Sequence, residues 1–397
     1  GYSECERWMK LQADFIRTID SSRLVTCGGM FMPKCVTVGG SQGGPLQKPD
    51  LYVSDEEHLR LFESMIHNLD IVSINYQYQN YEKFHELFPD MPLQGTETQG
   101  IVSWGNWRAV KNNEHVIGDF IWTCIDNLGE AGAGRCFYDA GEMGGPMGLM
   151  AGWPWLSCYQ GDLALDGERL PRAYYRNVIW GNDKGVRLFM NHPEHAGQPQ
   201  YGTGWHWHDV LPCWTYPESY VGKPVDVEAY ADCDEVEFFI NGTSCAKAKP
   251  EEMIARASLT YQPGELKAVA YRDGKAVAED ALATTGPAVQ VILTPECTEL
   301  AADGMDLCYV SVTLADIEGR RVYGGDVELN AAVSGAGTLL GFGSNNPCTT
   351  ESFGTGRRWT WNGRAMIVLR AGQEPGDMEL TVSGGGVPAA TVQVSVV

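Results

Sequence analysis

The stretch Pro92 to Gly100 reads Pro-Leu-Gln-Gly-Thr-Glu-Thr-Gln-Gly. One carboxylate, Glu97, stands where a short apolar run gives out into small residues. Gly95 and Gly100 bracket it, so backbone or ligand can approach closely. An acid at the carboxyl end of a parallel strand is where barrel and α/β enzymes keep a reactive group. For an arbitrary Glu, a solvated loop acid is the commoner outcome. The neighbouring runs favour chemistry, because polar and aromatic residues recur where each strand-like run stops.

Those runs alternate with helical patterns. Tyr2 to Ser22 places Trp8, Leu11, Phe15 and Ile19 at helical spacing. Leu24 to Gly28 is a short β-rich run that leads into a Gly/Pro-rich loop, Gly39 to Pro49. Ser54 with Glu57 forms a capping box before a helix whose apolar face is Leu59, Leu61, Phe62 and Ile66. Leu69 to Tyr76 is nearly continuous in apolar residues, as buried parallel strands are. A helix at Tyr81 to Phe88, the Glu97 run, and His115 to Cys124 continue the rhythm. Strand, helix, strand, helix to about residue 180 signals a (β/α) barrel or a doubly wound sheet. Only about four strands can be found, and a closed barrel needs eight.

Beyond Trp180 the texture changes. Pro224 to Ala231 and Glu235 to Ile240 alternate, and Asn241-Gly242 and Asp273-Gly274 are hairpin turn signals. Thr284 to Pro287 is a joint, after which Val289, Val291, Leu293, Val310, Val312 and Leu314 restart the alternation. Two antiparallel sandwiches of immunoglobulin-like size are expected. The predicted organisation is a partial (β/α)8 TIM barrel over 1–180, then immunoglobulin-like β-sandwich domains over 181–285 and 286–397.

Composition limits the function classes. The 397 residues hold 51 acidic and 29 basic side chains, a net charge of −22. That field repels phosphate backbones, so no nucleic-acid partner is expected. No apolar run is long enough to cross a bilayer, and the start does not read as a signal peptide. Twelve cysteines are scattered without Cys-x-x-Cys or zinc-like spacing. They read as reduced core thiols, Cys124 and Cys308 among them, in a cytoplasmic or anaerobic setting; secretion with disulfides stays open.

The chain resembles the C-terminal portion of glycoside hydrolase family 2, in particular bacterial β-galactosidase-like members. Asp70-Ile-Val-Ser-Ile-Asn-Tyr76 is similar to the family's sixth barrel strand and Gly95-Thr-Glu-Thr98 to the seventh. Phe120-Ile-Trp-Thr-Cys-Ile-Asp126, with Leu128-Gly-Glu-Ala131, resembles the eighth. Gly161 to Trp180 resembles the barrel-closing segment; Asp234 to Gly242 and Leu300 to Gly304 resemble the trailing domains. The resemblance implies a retaining β-glycosidase with Glu97 as nucleophile and Tyr76 as its hydrogen-bond partner. Retention needs a second carboxyl group about 5–5.5 Å away. In the family that acid follows an Asn at the fourth strand, ahead of the helix that opens this chain. Glu4 and Glu6 lie within that helix, and Glu114 and Glu130 lie on the wrong side in sequence. The chain therefore reads as a fragment without its acid/base, inactive by itself, whose partner is the missing N-terminal half or a second copy.

A carbohydrate substrate follows from the same resemblance. Trp122 offers a flat face to a sugar ring, or else is structural. Asn75, Trp104, Asp126 and Glu130 could bond sugar hydroxyls or hold loops. Gly141 to Met150 reads as a rim loop. His206-Trp-His208 puts two histidines on one strand face without a third ligand, so surface histidines and no metal or cofactor are expected. Asn182-Asp-Lys184 resembles the carboxylate-gripping motif of β-glucuronidases but lies past Trp180, which leaves a neutral sugar favoured. In a rival reading, Trp205, Trp207 and Trp214 form a sugar platform on a non-catalytic binding module.

Overall fold

The computed structural model describes residues 2–28, 63–139, 142 and 150–397. Strands β1 (Val72–Asn75), β2 (Leu93–Thr98) and β3 (Val116–Ile121) form a parallel sheet in that order. Helix α1 (Tyr2–Ile19) precedes it, α2 (Tyr81–Leu87) joins β1 to β2, and α3 (Ser103–Asn112) joins β2 to β3. All four residues of β1 are buried, as in a parallel strand covered on both faces. Ile66, Val72, Ile74, Tyr81, Phe84, Leu93 and Val116 make the local core. The strand stops at Asn75, where Tyr76 adopts left-handed backbone, φ 57°, and turns the chain out of the sheet. Leu24 to Gly28 lies alongside without becoming a named strand: the Asp70 N–H donates to the Val25 carbonyl at 2.9 Å. The Asp70 carboxylate in turn accepts the Val25 N–H at 2.7 Å and Arg17 at 3.0 Å.

Helix α1 reverses one expectation. Its apolar face is turned outward: Trp8 is 53% exposed, Phe15 65% and Ile19 72%, whereas Ala13 is the residue it buries. Among the described residues nothing covers that stripe. Residues 63–66 are helical; the rest of the expected Ser54 helix, the Gly39–Pro49 loop and most of the Gly141–Met150 run lie outside the described residues. Cys124 is a second correction, falling beyond β3 and exposed, while Cys308 is buried.

Two β-sandwiches follow. In the first, β11 (Ile254–Thr260), β8 (Pro224–Ala231), β5 (Val186–Asn191) and β7 (Val210–Leu211) form one sheet in that order. β10 (Thr243–Ala248), β9 (Glu235–Ile240), β12 (Glu265–Arg272) and β13 (Lys275–Ala283) form the other. Asn241 and Gly242 both take positive φ, 50° and 78°, the backbone a two-residue hairpin of this twist requires. Leu188, Trp214, Val227, Phe238, Tyr261 and Ala268 fill the space between the sheets.

The second sandwich sets β14 (Gln290–Pro295), β16 (Leu307–Ala315), β20 (Arg364–Ala371) and β18 (Gly337–Gly343) against a five-stranded sheet. That sheet runs β15 (Glu299–Leu300), β22 (Val387–Val396), β21 (Gly376–Gly384), β17 (Glu328–Gly335) and β19 (Arg357–Trp359).

The pieces are cemented together. Helix α4 (Pro171–Ile179) packs Tyr175, Val178 and Ile179 against Phe189, Trp207 and Tyr230 of the first sandwich. The second sandwich grips the segment before α4: Arg364 bonds Asp166 at 2.9 Å, Arg321 pairs with Glu168, and the Leu156 N–H donates to the Pro347 carbonyl at 2.8 Å. Both partners of the Arg321–Glu168 pair are largely buried, so removing either one would leave an uncompensated charge. A frame of this kind fixes loops at the β-strand ends.

Candidate active site

Three strand ends converge on Glu97. Asn75 of β1 pairs with Glu97 of β2 after a one-residue register shift. The Tyr76 N–H donates to the Glu97 carbonyl at 2.8 Å, and the Trp122 N–H, just past β3, donates to the Thr98 carbonyl at 2.9 Å. The Glu97 side chain is half-buried, and its Oε2 accepts the Tyr76 hydroxyl at 2.7 Å. Burial first, and then the charge and hydrogen bond of Glu97, push that hydroxyl far above the ordinary tyrosine range. Tyr76 is thus a fixed proton donor at every working pH. Holding a tyrosine in left-handed backbone is costly, and such strain gathers at functional sites. Gly95 is required for a concrete reason: a Cβ there would come 2.3 Å from the Tyr81 hydroxyl oxygen.

The other sequence candidates divide. Trp122 is half-buried beside Glu97's strand and donates its indole N–H to Glu130 Oε2 at 3.0 Å. The same oxygen accepts Gln160 Nε2 at 3.0 Å, and the Glu130 charge reaches Tyr76. Asn75 is buried and accepts Thr96 Oγ1 at 2.7 Å, which steadies the residue next to Glu97. Asp126 is also buried, with Oδ1 accepting the N–H groups of Gln160 at 2.8 Å and Gly161 at 2.7 Å. These contacts support its loop-holding reading. Trp104 sits on α3, half-buried against the α4–sandwich cluster and under Arg108.

Gly161 locks this arrangement. A Cβ there would lie 2.3 Å from the Asp126 N and 2.4 Å from the Leu163 carbonyl oxygen, both backbone atoms. Gly161→Ala is expected to destabilise the protein by about 2–3 kcal/mol, read as a lower urea midpoint. An unchanged midpoint would show that the loop yields.

The histidines differ from expectation as well. His206 and His208 are half-buried rather than free on the surface. His206 Nδ1 meets the Thr203 carbonyl, and His208 Nδ1 meets Glu228 Oε2 at 3.0 Å. A different trio, His192, His195 and Asp209, brings three ligand-type atoms within 4.8 Å of one another. An ion with bonds of about 2.0–2.2 Å spans no more than about 4.4 Å between ligand atoms. Both His192 nitrogens are also engaged, Nδ1 by the Glu194 N–H at 3.2 Å and Nε2 by Asn362 at 3.1 Å. As it stands, the trio is a hydrogen-bonded cluster.

Its ionisation has a consequence. The 2.7 Å bond to Asp209 raises His195 above its ordinary value. Burial alone would raise Asp209, but His195 and Tyr138 together hold it below the usual carboxylate range. The raised histidine adds stability that is full below its unfolded value and lost as pH rises through the folded one. The depressed carboxylate adds stability that is lost in acid. Thermal midpoints should therefore fall as pH rises above the ordinary histidine value of about 6.5, and this fall should flatten in His195→Gln. Equal slopes in both proteins would contradict the pairing.

Trp205, read from sequence as part of a sugar platform on a separate module, stands beside Tyr76 instead. Its indole N–H donates to the Tyr76 hydroxyl oxygen at 3.3 Å, and its ring meets the Tyr76 ring edge-on, centroids 5.5 Å apart. Trp207 and Trp214, expected beside it on a platform, are buried and bond Tyr230 and the Gln262 carbonyl. No local signal separates the first tryptophan from the other two.

Comparison with known proteins finds glycoside hydrolase relatives over most of the chain. Residues 291–393 match the glycoside hydrolase family 2 C-terminal domain 5, and residues 222–278 match a domain of unknown function, DUF4982. The β-galactosidase BoGH2A of Bacteroides ovatus is 29% identical over 302 residues, 74% of this chain and 31% of that protein. A putative β-glucuronidase of Formosa agariphila is 26% identical over 276 residues, 68% of this chain and 23% of that protein. A family 2 glycosyl hydrolase structure from Bacteroides cellulosilyticus superposes with a TM-score of 0.82 at 27% identity, covering 99% of this chain and 47% of that one. The chain thus spans about a quarter to a half of the length of these relatives. By class it is a multidomain protein, mostly of β-sheet, whose structural neighbours are glycoside hydrolases. Its last domain matches a glycoside hydrolase family 2 model, and the chain is similar to the C-terminal portion of family 2 proteins.

Proposed function

We propose that this chain carries the nucleophile side of a retaining β-glycosidase of β-galactosidase type. In this reading residues 1–180 are the second half of a (β/α)8 barrel, and 181–285 and 286–397 are immunoglobulin-like domains. Glu97 attacks the anomeric carbon as the aglycone departs, forming a glycosyl ester that water then cleaves. The observation that carries the reading is the Tyr76 hydroxyl held on Glu97 Oε2 at 2.7 Å. That bond orients one carboxylate oxygen and leaves the other for attack. The second carboxyl group, acting first as acid and then as base, comes from the preceding half of the barrel. The same half covers the outward apolar stripe of α1 and the exposed Phe120 of β3.

The sugar is read as neutral. A glucuronide needs a cation for its carboxylate, and Tyr76, Trp122, Glu130 and Trp205 supply none. The greater identity to the B. ovatus β-galactosidase supports the same choice.

The test is hydrolysis of nitrophenyl β-glycosides by the chain alone and by the chain joined to the preceding half of the catalytic domain. The chain alone should be silent, and the joined protein should prefer the galactoside. Turnover by the chain alone would remove the need for an outside acid. Preference for the glucuronide would overturn the sugar assignment.

A further inference from the structure

We propose that Trp205 is a positioning residue for the nucleophile, delivered to the site by the loop between β5 and β7 of the first sandwich. The inference rests on the reading of Glu97 as nucleophile. Trp205 donates to the Tyr76 oxygen and Tyr76 donates to Glu97, so one line of hydrogen bonds runs indole N–H, phenol O–H, carboxylate. Donation into the phenol oxygen leaves its own proton no better acceptor than Glu97, and hydrogen bonds in such a line strengthen one another. The edge-on ring contact at 88° fixes the phenol plane as well.

The loop that carries Trp205 is itself pinned to the barrel side. β6 (Tyr201–Gly202) pairs antiparallel with β4 (Cys136–Phe137). Thr203 Oγ1 donates to the Ala133 carbonyl and accepts the Trp205 N–H at 3.3 Å. The Cys136 thiol donates to the Trp207 carbonyl at 2.9 Å. A Cβ on Gly202 would lie 2.1 Å from the His206 ring, so the turn closes only on glycine. Few loops are tied down this densely without a positional task. The sandwich thereby becomes part of the catalytic apparatus, which explains why it stays attached to the barrel.

Two measurements test this. Trp205→Phe keeps the ring and removes the donor; in the joined protein kcat should fall about three- to tenfold with KM little changed. Independently, on this chain alone, the Trp205 indole N–H resonance is identified by its loss in Trp205→Phe. It should move in Tyr76→Phe, and also in Glu97→Gln, which it reaches only through Tyr76. An indole resonance that ignores both substitutions, or a Trp205→Phe enzyme with unchanged kcat, would overturn the proposal. If the joined protein shows no Glu97-dependent activity, the nucleophile reading fails instead, and the resonance still decides whether the line of hydrogen bonds exists.

Discussion

Glu97→Gln in the joined protein is expected to lower kcat by about 10⁴-fold or more, with the fold intact. The amide is nearly isosteric with the carboxylate and can still meet the Tyr76 hydroxyl, so local packing is preserved. What is lost is the negative charge and the lone pair that form the glycosyl ester. No described neighbour substitutes for it. Glu130 is the other carboxylate whose charge reaches Tyr76, but the oxygen that faces inward is already held by Trp122 and Gln160. Glu130→Gln should therefore cost far less than Glu97→Gln, and equal losses would move the nucleophile assignment away from Glu97. Circular dichroism and the urea midpoint serve as controls, because a half-buried Glu to Gln change removes no packing.

Tyr76→Phe carries the second largest effect. A hydrogen bond to a charged group is worth about 1.5–3 kcal/mol, so kcat should fall by roughly 10–100-fold. The phenyl ring keeps its edge contact with Trp205, and the strained backbone at φ 57° is unchanged. The loss therefore reports the hydroxyl alone. Because the same hydroxyl receives Trp205, the double variant Tyr76→Phe/Trp205→Phe should cost little more than Tyr76→Phe by itself. Additive losses would mean that Trp205 acts by some other route.

Much of this was legible from residues close together in sequence. The Asn241-Gly242 and Asp273-Gly274 hairpins declared themselves because positive φ at two successive residues selects Asn, Asp and Gly. β1 was visible as an unbroken apolar run because both of its faces are buried. Glu97 stood out because small residues crowd around it, and Gly95 proves to be small to make room for Tyr81.

Long-range placement was not legible. Trp205 meets a tyrosine 129 residues earlier, and nothing in its own surroundings announces that contact. Trp104 packs with the α4–sandwich cluster and Asp126 collects the N–H groups of Gln160 and Gly161, and neither contact is written in the local sequence. The α1 stripe shows the complementary limit. Its helical period was correct, yet the period says only that one face is apolar, not that a described neighbour covers it.

The most direct test of the nucleophile is covalent capture. A 2-deoxy-2-fluoro-β-galactosyl fluoride carries a leaving group that departs with little need of a proton, while the ring fluorine slows hydrolysis of the ester. Incubated with the joined protein, it should add one sugar per chain, and peptide mass analysis should place it on Glu97. A sugar on Glu130 or any other side chain, or none on a protein that turns over the parent galactoside, would contradict the account.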